Sequence, residues 1–157
     1  MNLGKTQLNA IVLLRLVIGW HFLYEGTVKL FNANWTAKYY LLSSEGFAKP
    51  IFGWLASDSL IGIVDFLNIA CLIVVGLALT LGIFEKIGAI IGIGLLVMYY
   101  FAHPAFPGLD QAGTEGSYFL VNKNLIEAVA LYLLFLIPTG YYFGIKRLRD
   151  NTSIQTA

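Results

Sequence analysis

The chain is organised by residues 11–31, which read IVLLRLVIGWHFLYEGTVKLF. This segment is as long as the roughly 20 residues that a helix needs to cross a bilayer. It nevertheless contains Arg15 and a polar stripe of three residues spaced four apart, His21, Glu25 and Lys29. An ionisable side chain at mid-bilayer costs roughly 2.5–3.5 kcal/mol on insertion scales. We therefore expect the stripe to face other helices or a wet cavity instead of lipid.

The composition indicates an integral membrane protein. Hydrophobic residues make up 58% of the 157 residues and charged residues only 12%, which is too apolar for a typical soluble domain. A formal net charge of +1 gives no basis for nucleic-acid binding. The single cysteine, Cys71, rules out an internal disulfide and a CxxC redox pair. The length predicts one domain that covers residues 1–157.

Four apolar segments predict the fold, and we place them at about 9–31, 60–83, 86–102 and 122–143. Each approaches the length of a membrane span, and a helix is the only single segment that satisfies its own backbone in lipid. The sequence therefore predicts an all-α integral membrane four-helix bundle. The connection between the first two helices is rich in aromatic residues, which predicts an amphipathic segment that lies at the interface or re-enters it.

The predicted topology is multi-pass with both termini in the cytoplasm. An even number of spans places the termini on one side, together with a tight turn at 82–86. That side carries an excess of basic residues, most of them at 146–149. The positive-inside rule makes it the cytoplasmic side, in the inner membrane of a bacterium or an archaeon.

Local signals predict helix ends and close packing. Asp58 and its flanking serines offer an N-cap for the second helix. Pro138 is expected to kink or end the fourth helix. Gly88 and Gly92 form a small-xxx-small pair, which serves either packing within one bundle or contact with a second copy of the chain.

Polar groups on all four predicted helices lie at a similar depth, toward the end opposite the termini. At a rise of 1.5 Å per residue, Glu25, Asp65 and Glu127 are expected about 8–9 Å inside that end of their helices. Asn124 is expected on the same face as Glu127, Asn68 one turn deeper than Asp65, and Lys29 and His103 near the outer edges of their helices. Carboxylates beside an apolar wall can take up protons released by a redox carrier. The same charges can equally form a structural network of ion pairs. His21, deeper on the stripe, either extends a proton relay inward or hydrogen-bonds a neighbour.

Other candidate residues also keep two interpretations. Arg15 either snorkels or pairs structurally near the cytoplasmic end, or it contacts a ligand there. The aromatic residues of the first loop, with Tyr99, either form an interfacial belt or wall a pocket for a quinone ring. His21 and His103 lie on different helices without further histidines, so neither a metal nor a haem is predicted.

The first helix, LLRLVIGWHFLYEGTVKL, resembles the opening helix of DoxX-like membrane proteins. The segments WTAKYYLL, FGWLA, NKNLIEAVALYLL and GYYFGIKRL are similar to the DoxD branch, the small subunit of thiosulfate:quinone oxidoreductase. The positions that match the family pattern are Arg15, Gly19, Gly26, Lys29, Trp35 and Gly144. The resemblance implies a four-helix membrane protein that links oxidation of a sulfur or thiol compound to the quinone pool.

We therefore expect a membrane subunit of a redox system, with a quinone as cofactor. The residues expected to handle its protons or bind the polar substrate are Glu25, Asp65, Glu127 and His103. The residues expected to contact the quinone are Arg15, His21, Lys29, Trp35, Tyr39, Asn68 and Asn124. Expected partners are the bilayer, a second membrane or periplasmic redox subunit, and a second copy of the chain. The alternatives are a non-catalytic scaffold that recruits a partner and, least favoured, a small-solute carrier.

Overall fold

A computed structural model describes residues 3–106, 109 and 118–145 of the chain. Over these ranges the regular structure is helical, apart from one isolated β-bridge between Tyr118 and Val121. In chain order the elements are α1 (Lys5–Phe31), α2 (Lys38–Leu42), a 3-10 turn (Gly46–Ala48), α3 (Lys49–Leu55), α4 (Ile61–Leu81), α5 (Glu85–Ala102) and α6 (Lys123–Leu136). The all-α prediction is confirmed for this part of the chain. The basic cluster at 146–149 lies outside the described residues.

Three helices, α1, α4 and α5, are long and apolar enough to cross a membrane. The fourth long helix, α6, has 14 residues, which at 1.5 Å per residue span about 21 Å of the roughly 30 Å hydrocarbon core. The predicted segment 122–143 is therefore too long. Helix α6 stops at Leu136, and Ile137 is not helical, with φ of −124° and ψ of 74°, because the residue before Pro138 is kept out of the helical conformation. The chain is multi-pass, and a fourth span stays a prediction.

The predicted N-cap of α4 is wrong. Helix α4 begins at Ile61, with Leu60 in the cap position and no side-chain cap bond. Asp58 instead accepts a hydrogen bond from Lys38 of α2 at 2.5 Å. This pairing raises the pKa of Lys38 and lowers the pKa of Asp58, so both side chains stay charged at neutral pH. The ion pair of Asp58 and Lys38 therefore joins the connection between α3 and α4 to α2.

Glycines bring α1 and α4 into backbone contact. A Cβ atom added at Gly76 of α4 would lie 2.5 Å from the backbone nitrogen of Leu23. A Cβ atom added at Gly19 of α1 would lie 2.8 Å from Thr80 Oγ1, and one at Gly26 would lie 2.8 Å from an Ile73 side-chain carbon. Any larger residue at these positions would push the two helices apart.

The glycine pair of α5 packs inside this chain. A Cβ atom at Gly88 would lie 2.9 Å from Ala78 Cβ of α4, and one at Gly92 would lie 2.7 Å from Leu131 Cδ1 of α6. Both glycines therefore serve contacts within the bundle, while contact with a second copy stays untested. The buried core between the long helices consists of apolar side chains, which are Ile18, Phe22, Leu72, Val75, Leu79, Ala89, Leu95, Leu96, Ala128, Leu131 and Leu134. Cys71 packs at the edge of this core.

The segment between α1 and α4 folds over one end of the bundle. Its buried face includes Leu41 of α2 and Phe52 of α3, which pack with Ala102 at the end of α5. Tyr39 and Trp54 of the same segment remain exposed. Exposed aromatic residues beside membrane spans are typical of a headgroup interface, so the predicted interfacial placement agrees with this pattern.

Arg15 lies at the end of the bundle opposite α2 and α3, which we call the arginine end. Its side chain is fully buried, and its Nη1 atom lies 3.4 Å from Glu85 Oε2 and 3.1 Å from Thr139 Oγ1. Its Nη2 atom donates to the carbonyl oxygen of Phe143. Glu85 in turn accepts hydrogen bonds from the backbone nitrogens of Thr139 and Gly140, at 2.9 and 2.6 Å. Arg15 therefore does not snorkel, and it pairs structurally with the start of α5 and the segment after α6.

The backbone at the arginine end requires glycine. Gly82 caps α4 in the left-handed conformation with φ of 70°, and a Cβ atom there would lie 3.0 Å from Arg15 Nη1. A Cβ atom at Gly140 would collide with the Gly82 carbonyl oxygen and with Glu85 Oε1. The turn between α4 and α5 can therefore approach Arg15 and the segment after α6 only because both positions lack side chains.

We expect Arg15→Met to lower the free energy of unfolding by about 3–5 kcal/mol, because Glu85 would remain as a buried charge without its cation. Denaturant titration in detergent, followed by circular dichroism, measures this change. Leu13→Met is the matched control, since Leu13 lies on the exposed face of α1. The double variant Arg15→Met/Glu85→Gln should be more stable than Arg15→Met alone. An unfolding curve for Arg15→Met that overlays the wild type would contradict this account.

Candidate functional site

A cavity of about 310 Å³ lies at the end of the bundle covered by α2 and α3, which we call the cavity end. Its polar lining consists of His21, Glu25, Lys29, Thr36, Asn68, Lys123 and Asn124. Its apolar and aromatic lining consists of Phe22, Trp35, Ala37, Tyr40, Leu41, Phe52, Val64, Leu72, Leu96, Met98, Tyr99 and Ala102. The cavity therefore combines aromatic and aliphatic walls with charged and hydrogen-bonding groups.

The polar stripe of α1 faces this cavity, as its spacing predicts. His21, Glu25 and Lys29 all line it. Lys29 Nζ lies 2.7 Å from Glu25 Oε2, one helical turn away, and 5.5 Å from the centre of the Trp35 ring. Lys29 is therefore held by a carboxylate and an aromatic face together, which fixes an ammonium group at the cavity wall.

A second ion pair joins α1 to α6. His21 Nδ1 lies 2.7 Å from Glu127 Oε1. His21 lines the cavity, whereas Glu127 does not. A carboxylate that hydrogen-bonds one ring nitrogen orients the imidazole and leaves the other nitrogen available to a ligand. Glu127 can therefore act on the cavity only through His21.

The facing helices α4 and α5 contribute a hydrogen-bonded pair. Asn68 Nδ2 donates to the Tyr99 hydroxyl oxygen at 2.6 Å. The other amide atom, Asn68 Oδ1, is buried and has no hydrogen-bond partner among the described residues. Both side chains line the cavity. Buried polar atoms in native proteins are nearly always paired, so this oxygen points to a group that the protein itself does not supply.

Asp65 and His103 hold the covering segment and do not line the cavity. Asp65 Oδ1 accepts a hydrogen bond from the backbone nitrogen of Ala37 at 2.8 Å. His103 Nε2 lies 3.2 Å from the Tyr40 carbonyl oxygen, and its ring centre lies 4.5 Å from that of Tyr40. Burial raises the pKa of the Tyr40 hydroxyl, which stays protonated and donates to the Tyr99 carbonyl oxygen at 3.2 Å. These contacts position the start of α2 over the cavity.

The remaining predicted contact residues divide into two groups. Trp35 and Asn124 line the cavity together with the stripe and Asn68. Arg15 is enclosed at the arginine end, and Tyr39 is 78% exposed, so neither lines the cavity. The sequence predicts these polar groups at a similar depth, where one network could join them. Within the described residues they instead form separate pairs.

Sequence reasoning did not single out Lys123 or the aliphatic and phenylalanine side chains that line the cavity. Lys123 stands at the first residue of α6, where a lysine is most simply a helix-end charge. Phe22, Leu72 and Leu96 belong to ordinary apolar runs, and only Leu72 carried a usable signal, because it lies one turn after Asn68. Among the described residues, no group of three or more His, Cys, Asp or Glu side chains could hold a metal ion.

Comparison with known families gives one result that bears on this site. The family model described as DoxX matches residues 10–104, which include most of α1, all of α2 to α5 and most of the cavity lining. The match does not distinguish the DoxD branch. Comparison with curated proteins and with solved structures gives no match.

We expect Asp65→Ala to lower the free energy of unfolding by about 1.5–3 kcal/mol, the usual worth of a hydrogen bond to a charged group. It should also speed amide hydrogen exchange in α2, because Ala37 would lose its acceptor. Asp65→Asn keeps an acceptor oxygen and should stay close to the wild type. Glu45→Ala, which removes a carboxylate from the segment between α1 and α4 and leaves the Asp65–Ala37 contact intact, is the control. Equal disruption by Asp65→Asn and Asp65→Ala would show that the charge, and not the acceptor, is required.

Proposed function

Because this chain belongs to the DoxX family, we propose that it is a membrane subunit of a redox system whose cavity binds a quinone headgroup. The family is membrane-associated and often linked to redox and quinone systems. The observation that carries the proposal is the cavity, which joins aromatic and aliphatic walls to a few polar groups between candidate membrane spans. Ligand pockets with that composition bind amphipathic ring compounds.

The residues of the cavity fit a quinone headgroup in size and chemistry. A cavity of about 150 Å³ admits benzene, so 310 Å³ accommodates a substituted ring. Asn68 and Tyr99 would hold one ring oxygen, and Lys29 at the wall would hold the other. The unpaired Asn68 Oδ1 supports this fit, because it is a buried polar atom that needs a partner.

The proposed reaction couples oxidation of a sulfur or thiol compound to quinone reduction. Two sulfur anions that join through a new S–S bond release two electrons, and a bound quinone would accept these electrons together with two protons taken from the aqueous medium. The chain has one cysteine, Cys71, which packs beside the core. We therefore assign the new S–S bond to the substrate itself or to a second redox subunit, and not to a disulfide within this chain.

His21 and Glu25 are the groups that we assign to proton handling at the cavity. His21 can hold or release a proton at its ring, and Glu127 orients that ring at 2.7 Å. Glu25 lines the cavity beside Lys29 and offers a second carboxylate. Asp65 and His103 receive a positioning role, since their polar atoms hold the covering segment. We place the arginine end on the cytoplasmic side, in keeping with the positive-inside rule.

One observation favours the alternative of a non-catalytic scaffold. The carboxylates near the cavity are already paired, Glu25 with Lys29 and Glu127 with His21. In a scaffold these pairs would only join helices and recruit or stabilise a partner protein. The two functions differ in whether a quinone is retained and in whether loss of the pairs changes turnover.

We expect mass spectrometry of the protein, purified in mild detergent, to show a stoichiometric quinone in the extracted lipids. The Gly92→Leu variant is expected to lose it, because the added side chain would displace Leu131 and Phe22, and Phe22 lines the cavity. Gly94→Leu is the matched control, since a side chain at that position meets open space. Absence of quinone from the wild type, together with a retained partner protein, would favour the scaffold.

We expect Glu127→Gln to lower kcat for quinone reduction by about 10²-fold, the lower range of general acid–base effects. KM for the quinone should stay nearly unchanged, because Glu127 does not line the cavity. Glu127→Asp should retain most of the activity. Glu45→Gln, the same change outside the cavity, is the control. A fall in kcat that merely follows a fall in thermal stability would reduce the pair to a structural contact.

A further inference from the structure

We propose that Asn68 and Tyr99 form an adaptable hydrogen-bonding pair that holds one ring oxygen of the bound quinone in both its oxidised and its reduced form. The inference rests on the proposed function and adds to it the retention of both oxidation states of the ligand. It starts from the two facts that Asn68 Nδ2 bonds the Tyr99 hydroxyl at 2.6 Å and that Asn68 Oδ1 is buried without a partner among the described residues.

The inventory of donors and acceptors shows why the pair is adaptable. A carboxamide has two N–H donors and one acceptor oxygen, and a phenol has one donor and an acceptor oxygen. In the observed arrangement, one amide N–H bonds the Tyr99 oxygen. The pair then offers the cavity an unused acceptor, Asn68 Oδ1, and an unused donor, the Tyr99 hydroxyl hydrogen. Rotating the amide by half a turn lets Tyr99 donate to Oδ1 and presents amide N–H donors instead.

These two arrangements match the two forms of the ligand. A quinone oxygen is a carbonyl that can only accept, whereas the reduced ring carries a hydroxyl that also donates. The carbonyl can accept from Tyr99 or from the rotated amide. The hydroxyl can donate to Asn68 Oδ1, which otherwise stays buried and unpaired at an energetic cost. Asn68 is therefore the residue that allows the site to keep the reduced form.

The position of the pair makes its hydrogen bonds to the ligand difficult to replace. Leu72 lies one turn from Asn68 on α4, and Leu96 lies one turn from Tyr99 on α5, and both line the cavity. Next to such apolar side chains, a missing hydrogen bond is replaced poorly by water. The charged groups of the cavity belong to α1 and α6, so they do not substitute for the amide on α4.

The test compares binding of decylubiquinone and decylubiquinol to the full chain in detergent by isothermal titration calorimetry, with the reduced form kept under anaerobic conditions. Asn68→Leu removes the acceptor and leaves the Tyr99 donor. We expect it to weaken decylubiquinol binding about tenfold more than decylubiquinone binding. Such a tenfold change in the ratio of the two Kd values lowers the potential of the bound couple by about 30 mV. Asn34→Leu, an exposed position outside the cavity, is the control.

A second variant gives the opposite sign and covers a failure of Asn68→Leu to fold. In Asn68→Asp the carboxylate would take the Tyr99 hydroxyl hydrogen, so that only acceptors face the ligand. Binding of decylubiquinone should then weaken about tenfold relative to decylubiquinol. An unchanged ratio in the variants that fold, while the wild type binds both forms, would overturn this inference and leave the proposed function standing. Failure of the wild type to bind either form would overturn both.

Discussion

A buried arginine sets the architecture of this protein. Arg15 lies inside the bundle with no exposed surface, so its charge must be met by partners within the protein. Glu85 supplies the counter-charge, and the segment after α6 supplies a hydroxyl and a carbonyl oxygen. Arg15 and these partners come from three distant parts of the sequence. Because the buried guanidinium needs these partners, α1, the start of α5 and the segment after α6 meet at one point.

The two ends of the bundle use charge differently. At the arginine end the carboxylate of Glu85 is saturated by the guanidinium and by two backbone N–H groups. At the cavity end Glu25 and Glu127 each pair with one side chain, and Glu25 also stands beside an open volume. Saturated charges hold helices together, whereas partly satisfied ones remain available to a ligand. The same residue types therefore serve stability at one end and, in our proposal, chemistry at the other.

Much of the fold could be predicted from sequence, because hydropathy and helical spacing are local properties. The orientation of the His21, Glu25 and Lys29 stripe followed from their spacing and from the cost of ionisable groups in lipid, and all three residues line the cavity. The end of α6 was misplaced because the apolar residues continue past Pro138, whose effect is steric. The role of Asp65 could not be predicted, since Ala37, its partner, is 28 residues away in sequence. Depth along a helix does not specify which way a side chain points.

The close contact between α1 and α4 has a consequence for the cavity that these two helices help to line. Gly19, Gly26 and Gly76 hold the two backbones together over about a third of the length of the helices, and a close-packed interior deforms little. The space beside this contact is therefore preorganised, and a ligand does not have to create it by separating the helices. Ligand binding then costs the protein little conformational entropy. A small ring can therefore bind even though it makes few polar contacts.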